Sequence, residues 1–282
     1  MSDTRRALMK QASERLAAQG VETAALDARL LFQAASGLRH EDIVAEPDLI
    51  VLPEVAARFS VFIERRSRFE PVSRILETRE FYGRSFHVTP DVLDPRADTE
   101  TLIGAVLGLV KGKGFLRILD LGTGSGALAV TLLAELPGAT AVASDLSAAA
   151  LAVAKANAGA LGVAGRASFL QANWFEGIGG KFDLIVSNPP YIPLGDIAGL
   201  APDVREFDPP RALDGGPDGL EAYRRLANGA GDHLAPSGRV VLEIGEGQEN
   251  AVNELFTGQG FARESGHFDL AGHVRCLVFT RP

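Results

Sequence analysis

The sequence predicts an α/β protein: a doubly wound, Rossmann-like sheet, mostly parallel with an antiparallel C-terminal strand, preceded by a small N-terminal helical bundle. Three observations predict it. Residues 1–75 place their apolar side chains at helical spacing between short polar breaks. From Phe115 onward, short apolar runs alternate with alanine-rich helical stretches, the pattern of a parallel sheet covered on both faces. One of those runs ends in a glycine cluster that opens a helix, "ILDLGTGSGALAV".

Taken in order, "TRRALMKQASERLAAQG" sets Leu8, Ala12 and Leu16 on one helical face and stops at Gly20. "TAALDARLLFQAASG" repeats the device, with Thr23 as N-cap and Gly37 past the end. "LPEVAARFSVFIERRSRFEP" begins with Pro53 in its first turn and ends before Pro71. These helices form the bundle, residues 1–75. Residues 76–92 hold aromatic and β-branched residues on both sides of Gly83, "EFYGRSFHVTP", and read as a β-hairpin linker. Residues 93–282 form the main domain. "ADTETLIGAVLGLVKGKG" is its leading helix. Strands follow at "FLRILDLG", "ATAVASD", "RASFLQA", "FDLIVSN" and "GRVVLEIG", with helices at "GALAVTLLAELPG", "SAAALAVAKANAGALG", "GLEAYRRLANGAGDHL" and "GQENAVNELFTGQG". The tail "FARESGHFDLAGHVRCLVFTRP" reads as two antiparallel strands.

The charge balance is uneven along the chain. Residues 1–75 carry 11 basic and 11 acidic side chains, so the net charge of −8 lies wholly in residues 76–282. An acidic main domain disfavours broad binding to a phosphate backbone. The one basic knot, Arg65-Arg66-Ser67-Arg68, reads as a solvated helix face. Cys276 is the single cysteine, which excludes a disulfide framework and fits a reducing cytosol. The N-terminus lacks the continuous apolar core of a signal peptide, and no apolar run is long enough for a membrane span. The five histidines show no metal-ligand spacing.

The loop Gly122-Thr123-Gly124-Ser125-Gly126 follows a strand and opens a helix, the context that a nucleotide-binding turn requires. Glycine lets the backbone turn tightly and approach a ligand, and the free N–H groups of the helix start face it. The spacing is G-x-G-x-G, not the G-x-G-x-x-G of dinucleotide folds. Asp120, two residues earlier, suits a cationic ligand such as the ammonium and sulfonium of S-adenosylmethionine better than a pyrophosphate. Asp145 ends the next strand, where a carboxylate accepts both hydroxyl protons of a ribose. Trp174, the single tryptophan, follows the third strand at the same edge of the sheet. Its ring suits stacking on adenine, with Asn173 beside it for the exocyclic amine; a core or lid tryptophan is the alternative. Each feature alone also fits a structural turn or cap.

The run "FDLIV" ends in "SNPPYIP". Asn188 closes the fourth strand beside the first, at the switch point where ligands bind in such sheets. Its side-chain carbonyl is an acceptor, and Pro189 and Pro190 offer carbonyls without N–H donors in a rigid frame. Two fixed acceptors suit an –NH₂ group, and the Tyr191 ring suits a planar amide or base. Glu243, at a later strand end, reads as a packing or supporting residue.

"NPPY" after a strand, with "DLGTGSGA" upstream, is similar to the S-adenosylmethionine-dependent amino methyltransferases. "EFYGRSFHVTPDVLDPRADTETLI" (80–103) and "DVREFDPPRALDGGPDGLEAYRRL" (203–226) resemble the HemK/PrmC family within them, as does the N-terminal helical block. The resemblance covers essentially the whole chain. It implies methyl transfer from S-adenosylmethionine, leaving S-adenosylhomocysteine, to the glutamine side-chain amide of the Gly-Gly-Gln motif in class-1 peptide chain release factors. It further implies that Gly122, Thr123, Gly124, Ser125, Gly126, Asp145 and Trp174 bind the cofactor. Asn188, Pro189, Pro190 and Tyr191 bind the glutamine, with Asn188, Pro189 and Tyr191 nearest the chemistry. The bundle is expected to hold the release factor. The chain departs from the family at Ala97, where proline is usual, and at Asn173, where an acidic residue is common.

Three rival readings stand beside this one. A nucleic-acid amino methyltransferase uses the same grip on a base amine but wants a basic surface. A nicotinamide dehydrogenase is disfavoured by the glycine spacing, by Asp120 and by NPPY. A non-catalytic binding module leaves a full set of motif residues without a purpose.

Overall fold

The computed structural model describes residues 4–281. The chain folds as two compact units, Met1–Thr78 with Pro202–Phe207, and Arg79–Ala201 with Asp208–Pro282.

The first unit is helical. It holds α1 (Arg5–Ala18), α2 (Ala24–Ser36), α3 (His40–Ala45), α4 (Pro53–Arg66) and α5 (Val72–Leu76). The Thr4 hydroxyl caps α1 by accepting from the Ala7 amide, and Gly37 ends α2 at φ 71°. Thr23 does not cap α2 with its side chain; its hydroxyl donates instead to Asp27 at 2.8 Å. Leu16, Leu31, Phe32, Phe59 and Ile63 fill the unit's core, with Phe32 and Phe59 edge to face at 5.2 Å. The basic knot is not a solvated face. Arg66 is buried and its Nε donates to Asp27 at 2.7 Å, because the helix turns that position inward and the guanidinium then needs a carboxylate. Arg65 pairs with Glu70, and Arg68 alone lies well exposed.

The second unit begins with a two-stranded sheet, β1 (Thr78–Phe81) and β2 (Arg84–His87). A 3₁₀ turn over Ala97–Thr99 leads into α6 (Glu100–Leu109). The main sheet then forms from β3 (Leu116–Leu121), β4 (Ala139–Asp145), β5 (Ala167–Gln171), β6 (Phe182–Ser187), β7 (Leu234–Glu243), β8 (Ala262–Phe268) and β9 (Val274–Thr280). α7 (Ala127–Glu135) joins β3 to β4, and α8 (Ala148–Ala160) joins β4 to β5. The short α9 (Pro202–Arg205) and α10 (Glu221–His233) fall between β6 and β7, and α11 (Glu249–Thr257) lies between β7 and β8.

Strand order is β5-β4-β3-β6-β7-β9-β8; all neighbours are parallel except the β7–β9 and β8–β9 pairs. The order reverses between β3 and β6, so their carboxyl ends define the switch point. Strand parity sorts the core. Ile118, Leu184, Val186, Val241 and Val278 share one face with α6 and α7. Leu119, Leu121, Ile185, Leu242 and Phe279 share the other with α10 and α11. Among the described residues no helix is long and apolar enough to cross a membrane.

Candidate active site at the carboxyl edge of the sheet

A cavity opens over the ends of β3, β4 and β6. Gly122, Thr123, Gly124, Ser125, Asp145, Asn173, Trp174, Asn188 and Pro190 all line it.

The floor is the glycine loop. Gly122 and Gly124 hold φ at 72° and 55°, and a Cβ on either would point into open space. Gly126 differs. At φ 83° it caps α7, and a Cβ there would lie 3.1 Å from the Ala154 Cβ of α8. Its glycine serves helix packing, and it does not line the cavity. The amides of Gly122 and Thr123 both donate to the Ser144 carbonyl at 2.9 Å, which ties the loop to the end of β4.

Asp145 braces the loop from the other side. One carboxylate oxygen accepts the Gly124 amide at 2.9 Å and the other the Ser147 amide at 2.8 Å. Each oxygen keeps a lone pair, so the carboxylate stays free to accept two hydroxyl protons at the cavity wall.

Asp120 is placed otherwise than the sequence suggests. It shares strand parity with Ile118, so it faces α7 beneath the loop, fully buried, and does not line the cavity. One oxygen accepts the Thr123 hydroxyl at 2.7 Å and the Ala129 amide at 3.1 Å; the other is buried without a partner. Burial pushes its carboxyl up to about 7, against the pull of those two bonds. Through these two bonds it ties the loop to the first turns of α7.

Trp174 lines the opposite wall with its backbone at φ 55°, a conformation that is unusual for a bulky residue. Such backbone costs of order 1–3 kcal/mol and persists where the surroundings enforce it. Next to it, Asn173 gives its Nδ2 to Glu176 at 3.0 Å. Its carbonyl oxygen remains for the cavity.

The strand tip contributes Asn188 and Pro190. Asn188 is half-buried, and its Nδ2 donates to the Thr99 hydroxyl at 3.0 Å, so its acceptor oxygen is the end left over. Pro189 and Tyr191 are not brought to the cavity wall. Pro189 is buried. Beyond it the chain folds back, and Ile192 exchanges main-chain bonds with Leu213 and Gly215. That turn carries Tyr191 to the rear of the site, where its hydroxyl donates to Glu243 at 3.3 Å and its carbonyl accepts from Gln248 at 2.9 Å. Burial and the facing Glu243 carboxyl raise the phenol's pKa.

Glu243, at the end of β7, is buried. Burial pushes its carboxyl up to about 7, while the Thr99 hydroxyl and the Arg275 guanidinium pull it back down. Thr99 and Arg96 escape a motif reading. Thr99 lies 89 positions from Asn188, and Arg96 lines the cavity while donating to Asp208, 112 positions away, at 2.5 Å. Both lie in "PRADTE", within the 80–103 stretch that carries the family resemblance, but the sequence alone assigns neither a role. Among the described residues, no group of three His, Cys, Asp or Glu is gathered for a metal.

The PrmC N-terminal domain family matches residues 7–76, and the methyltransferase small domain family matches residues 104–197. The chain is 48% identical to the release factor glutamine methyltransferase of Cereibacter sphaeroides, over 97% of both chains. It is 46% identical to that of Rhodospirillum rubrum, over 97% of this chain and 84% of the relative. Among solved structures, a methyltransferase from Pyrococcus furiosus aligns with a TM-score of 0.51 at 21% identity, over 71% of this chain and 89% of that one. A 16S rRNA methyltransferase from T. thermophilus, in complex with AdoMet and guanosine, aligns with a TM-score of 0.53 at 21% identity. It spans 73% of this chain and 50% of its own.

Proposed function

The chain belongs to the release factor glutamine methyltransferase family, and from that premise we propose that it methylates the side-chain amide nitrogen of the Gly-Gly-Gln glutamine in class-1 release factors, using S-adenosylmethionine. The observation that carries the reading is Asn188, whose donor end is tied to Thr99 and whose acceptor oxygen is left at the cavity beside the glycine loop.

The residues present fit such a cofactor. Space stands open over Gly122 and Gly124, Asp145 has lone pairs for two ribose hydroxyls, and Asn173 and Trp174 both line the cavity. When bound, S-adenosylmethionine supplies a methyl group already activated by its sulfonium. What the chain adds is position. An amide nitrogen is a poor nucleophile because its lone pair is shared with the carbonyl. An acceptor at Asn188 holds one amide proton, turns the nitrogen toward the methyl group and raises its electron density. Pro190 keeps that wall rigid and free of competing donors. Orientation and fixed dipoles of this kind supply most of the rate in a group transfer that needs no strong base.

The helical region is assigned the recognition of the release factor beyond its glutamine. One amide is too small a handle for selecting a single residue. Val44, Leu49, Ile50 and Leu52 stand exposed along 44–52 and give that region an apolar surface. Double substitution I50S/L52S should raise KM for an intact release factor and leave that for a Gly-Gly-Gln peptide unchanged.

The test of the function is methyl transfer from labelled S-adenosylmethionine to release factor, to RNA and to DNA, with the acceptor located by mass spectrometry. A single added methyl on the Gly-Gly-Gln glutamine is expected. Transfer to a nucleobase and not to the release factor refutes the proposal.

A further inference from the structure

Resting on the cofactor reading above, we propose that Asn157 is a positioning residue for S-adenosylmethionine: its single carboxamide joins the glycine loop to the β1–β2 hairpin and so holds two walls of the cavity together. Asn157 lies on α8, where the other buried positions are apolar: Ala150, Leu151, Val153, Ala154 and Ala158. Asparagine is a poor helix former, and a buried carboxamide costs free energy unless its hydrogen-bonding groups are met. Alanine or leucine would serve helix and packing better. The residue is therefore explained by what its amide bonds.

Those bonds fix its orientation. Asn157 Oδ1 accepts the His87 amide at 2.8 Å, while Nδ2 donates to the His87 carbonyl at 3.0 Å and to the Ser125 carbonyl at 2.8 Å. A main-chain N–H only donates and a carbonyl only accepts, so turning the amide over would break all three bonds. The two bonds to His87 copy those of a neighbouring strand and close the end of β2. The third reaches into the glycine loop, 32 positions away. Because a peptide unit is planar, holding the Ser125 carbonyl also aims the Gly126 amide, which donates to the Thr123 carbonyl at 2.8 Å.

The hairpin thereby becomes part of the cofactor site. Beyond His87 the chain continues into Asp91, Val92 and Leu93, which line the cavity. Val88 and Val92 are buried in one cluster with Ala150 and Val153 of α8. The hairpin is also anchored on α7: Phe81 and Phe86 join the core on that face of the sheet, and Arg84 pairs with Glu135. α7 opens directly from the glycine loop, and α8 from the turn after Asp145. Asn157 is where hairpin, α8 and loop meet in one side chain. A ligand that orders the loop therefore orders the hairpin, and a loosened hairpin weakens the ligand by the same factor. The segment that reads as a linker in the sequence is thus a wall of the site.

The test compares wild type, N157A and N157D by three readouts. These are titration with S-adenosylmethionine, initial rates on intact release factor, and hydrogen exchange of the His87 amide by NMR. N157A removes the bond to the loop, so cofactor Kd should rise roughly ten-fold, the effect of about one hydrogen bond. N157D turns a second oxygen toward two carbonyls and should weaken binding further. The Asn188 wall is untouched, so in N157A kcat at saturating cofactor should stay within about two-fold while KM for the cofactor rises with Kd. Without cofactor, the His87 amide should exchange faster in N157A than in wild type. In wild type, saturating cofactor should slow the His87 amide more than the Val252 amide of α11, which a general gain in stability slows as well. A merely structural Asn157 would lower Tm and leave cofactor Kd unchanged, and that result overturns the proposal. So does a His87 amide slowed by cofactor no more than Val252, a wild-type measurement that decides the question if neither variant folds. A wild type that binds no S-adenosylmethionine overturns the cofactor reading and this proposal together. A wild type that binds it but leaves the release factor unmethylated overturns the substrate assignment alone, since titration and exchange need no substrate.

Discussion

Alanine substitution at Gly124 and at Gly126 should separate a glycine that faces ligand from one that serves packing. Both hold positive φ, 55° and 83°. Placing an L-residue there costs about 1–2 kcal/mol, offset by roughly 0.4–1 kcal/mol because alanine restricts the unfolded chain. At Gly124 that is nearly the whole effect, since a Cβ would meet nothing within 4 Å. The apo protein should lose about 1 kcal/mol, or roughly 2 °C in Tm for a chain of this size. At Gly126 the new methyl meets the Ala154 Cβ at 3.1 Å, the Ala154 Cα at 3.2 Å and the Val130 Cγ2 at 3.2 Å. Overpacking adds about 1–3 kcal/mol, so the loss should reach roughly 2–4 kcal/mol and at least about 4 °C. Cofactor binding should show the reverse order. The Gly124 methyl projects into the cavity and should weaken binding of S-adenosylmethionine at least ten-fold by isothermal titration. At a temperature where it is folded, G126A should bind within a few-fold of wild type. A G124A protein that binds normally, or a G126A protein that loses binding without losing stability, would refute the assignment of the two glycines.

N188A should lower kcat by two orders of magnitude or more while cofactor Kd changes less than three-fold; equal losses in both, from initial rates and titration, would count against its role as the acceptor. D145A removes the acceptors of the Gly124 and Ser147 amides as well as the proposed ribose contacts, so cofactor affinity should fall by about 2–4 kcal/mol, read by titration. Asp120 gives a pH signature. Its folded pKa of about 7 lies above the ordinary aspartate value of 3.8, so the folded state holds a proton that the unfolded chain has released. That contribution to stability is complete below about pH 4, shrinks as pH rises and is gone above about pH 7. Urea unfolding of wild type and D120N from pH 4 to 8 should therefore show wild type losing a few kcal/mol relative to the variant, with a plateau above 7; a flat difference would contradict it.

The sheet, its order at the switch point and the glycine loop are legible in the sequence because each rests on short-range chemistry. Alternating apolar runs specify strand and helix locally, and a glycine needed for positive φ announces its own backbone. Gly122, Gly124, Asp145 and Asn188 are brought to one cavity by one rule, that the carboxyl ends of parallel strands and the turns after them lie at one edge of the sheet. Asp120 is misplaced by a sequence reading because distance along the chain to the loop says nothing of strand parity. The residue faces α7 with Ile118, and its partner Ala129 lies on the next helix. Tyr191 is misplaced because its direction is set by the return of the chain past Leu213 and Gly215. Thr99 and Glu243 find their partners 89 and 52 positions away, beyond any local pattern. Trp174 is legible by type but not by backbone, since its left-handed φ is where a sequence pattern expects glycine.

These misplacements share a cause that bears on how the site works. The residues that line the cavity come from strand ends and turns, and their identities are dictated by what they must present. Two residues behind them, Asp120 under the loop and Glu243 against the Tyr191 hydroxyl, are carboxyls buried at the ends of β3 and β7. Both have pKa values raised by burial to about 7. A buried carboxyl is costly unless its neighbours are fixed, and fixed neighbours are what an orienting site requires. A leucine at either position would pack more cheaply and would leave Thr123 and Ala129, or Tyr191, without an acceptor. The destabilising carboxyls are thus the counterpart of fixed neighbours, and replacing them should raise stability at pH 8 while loosening the glycine loop or the turn that carries Tyr191.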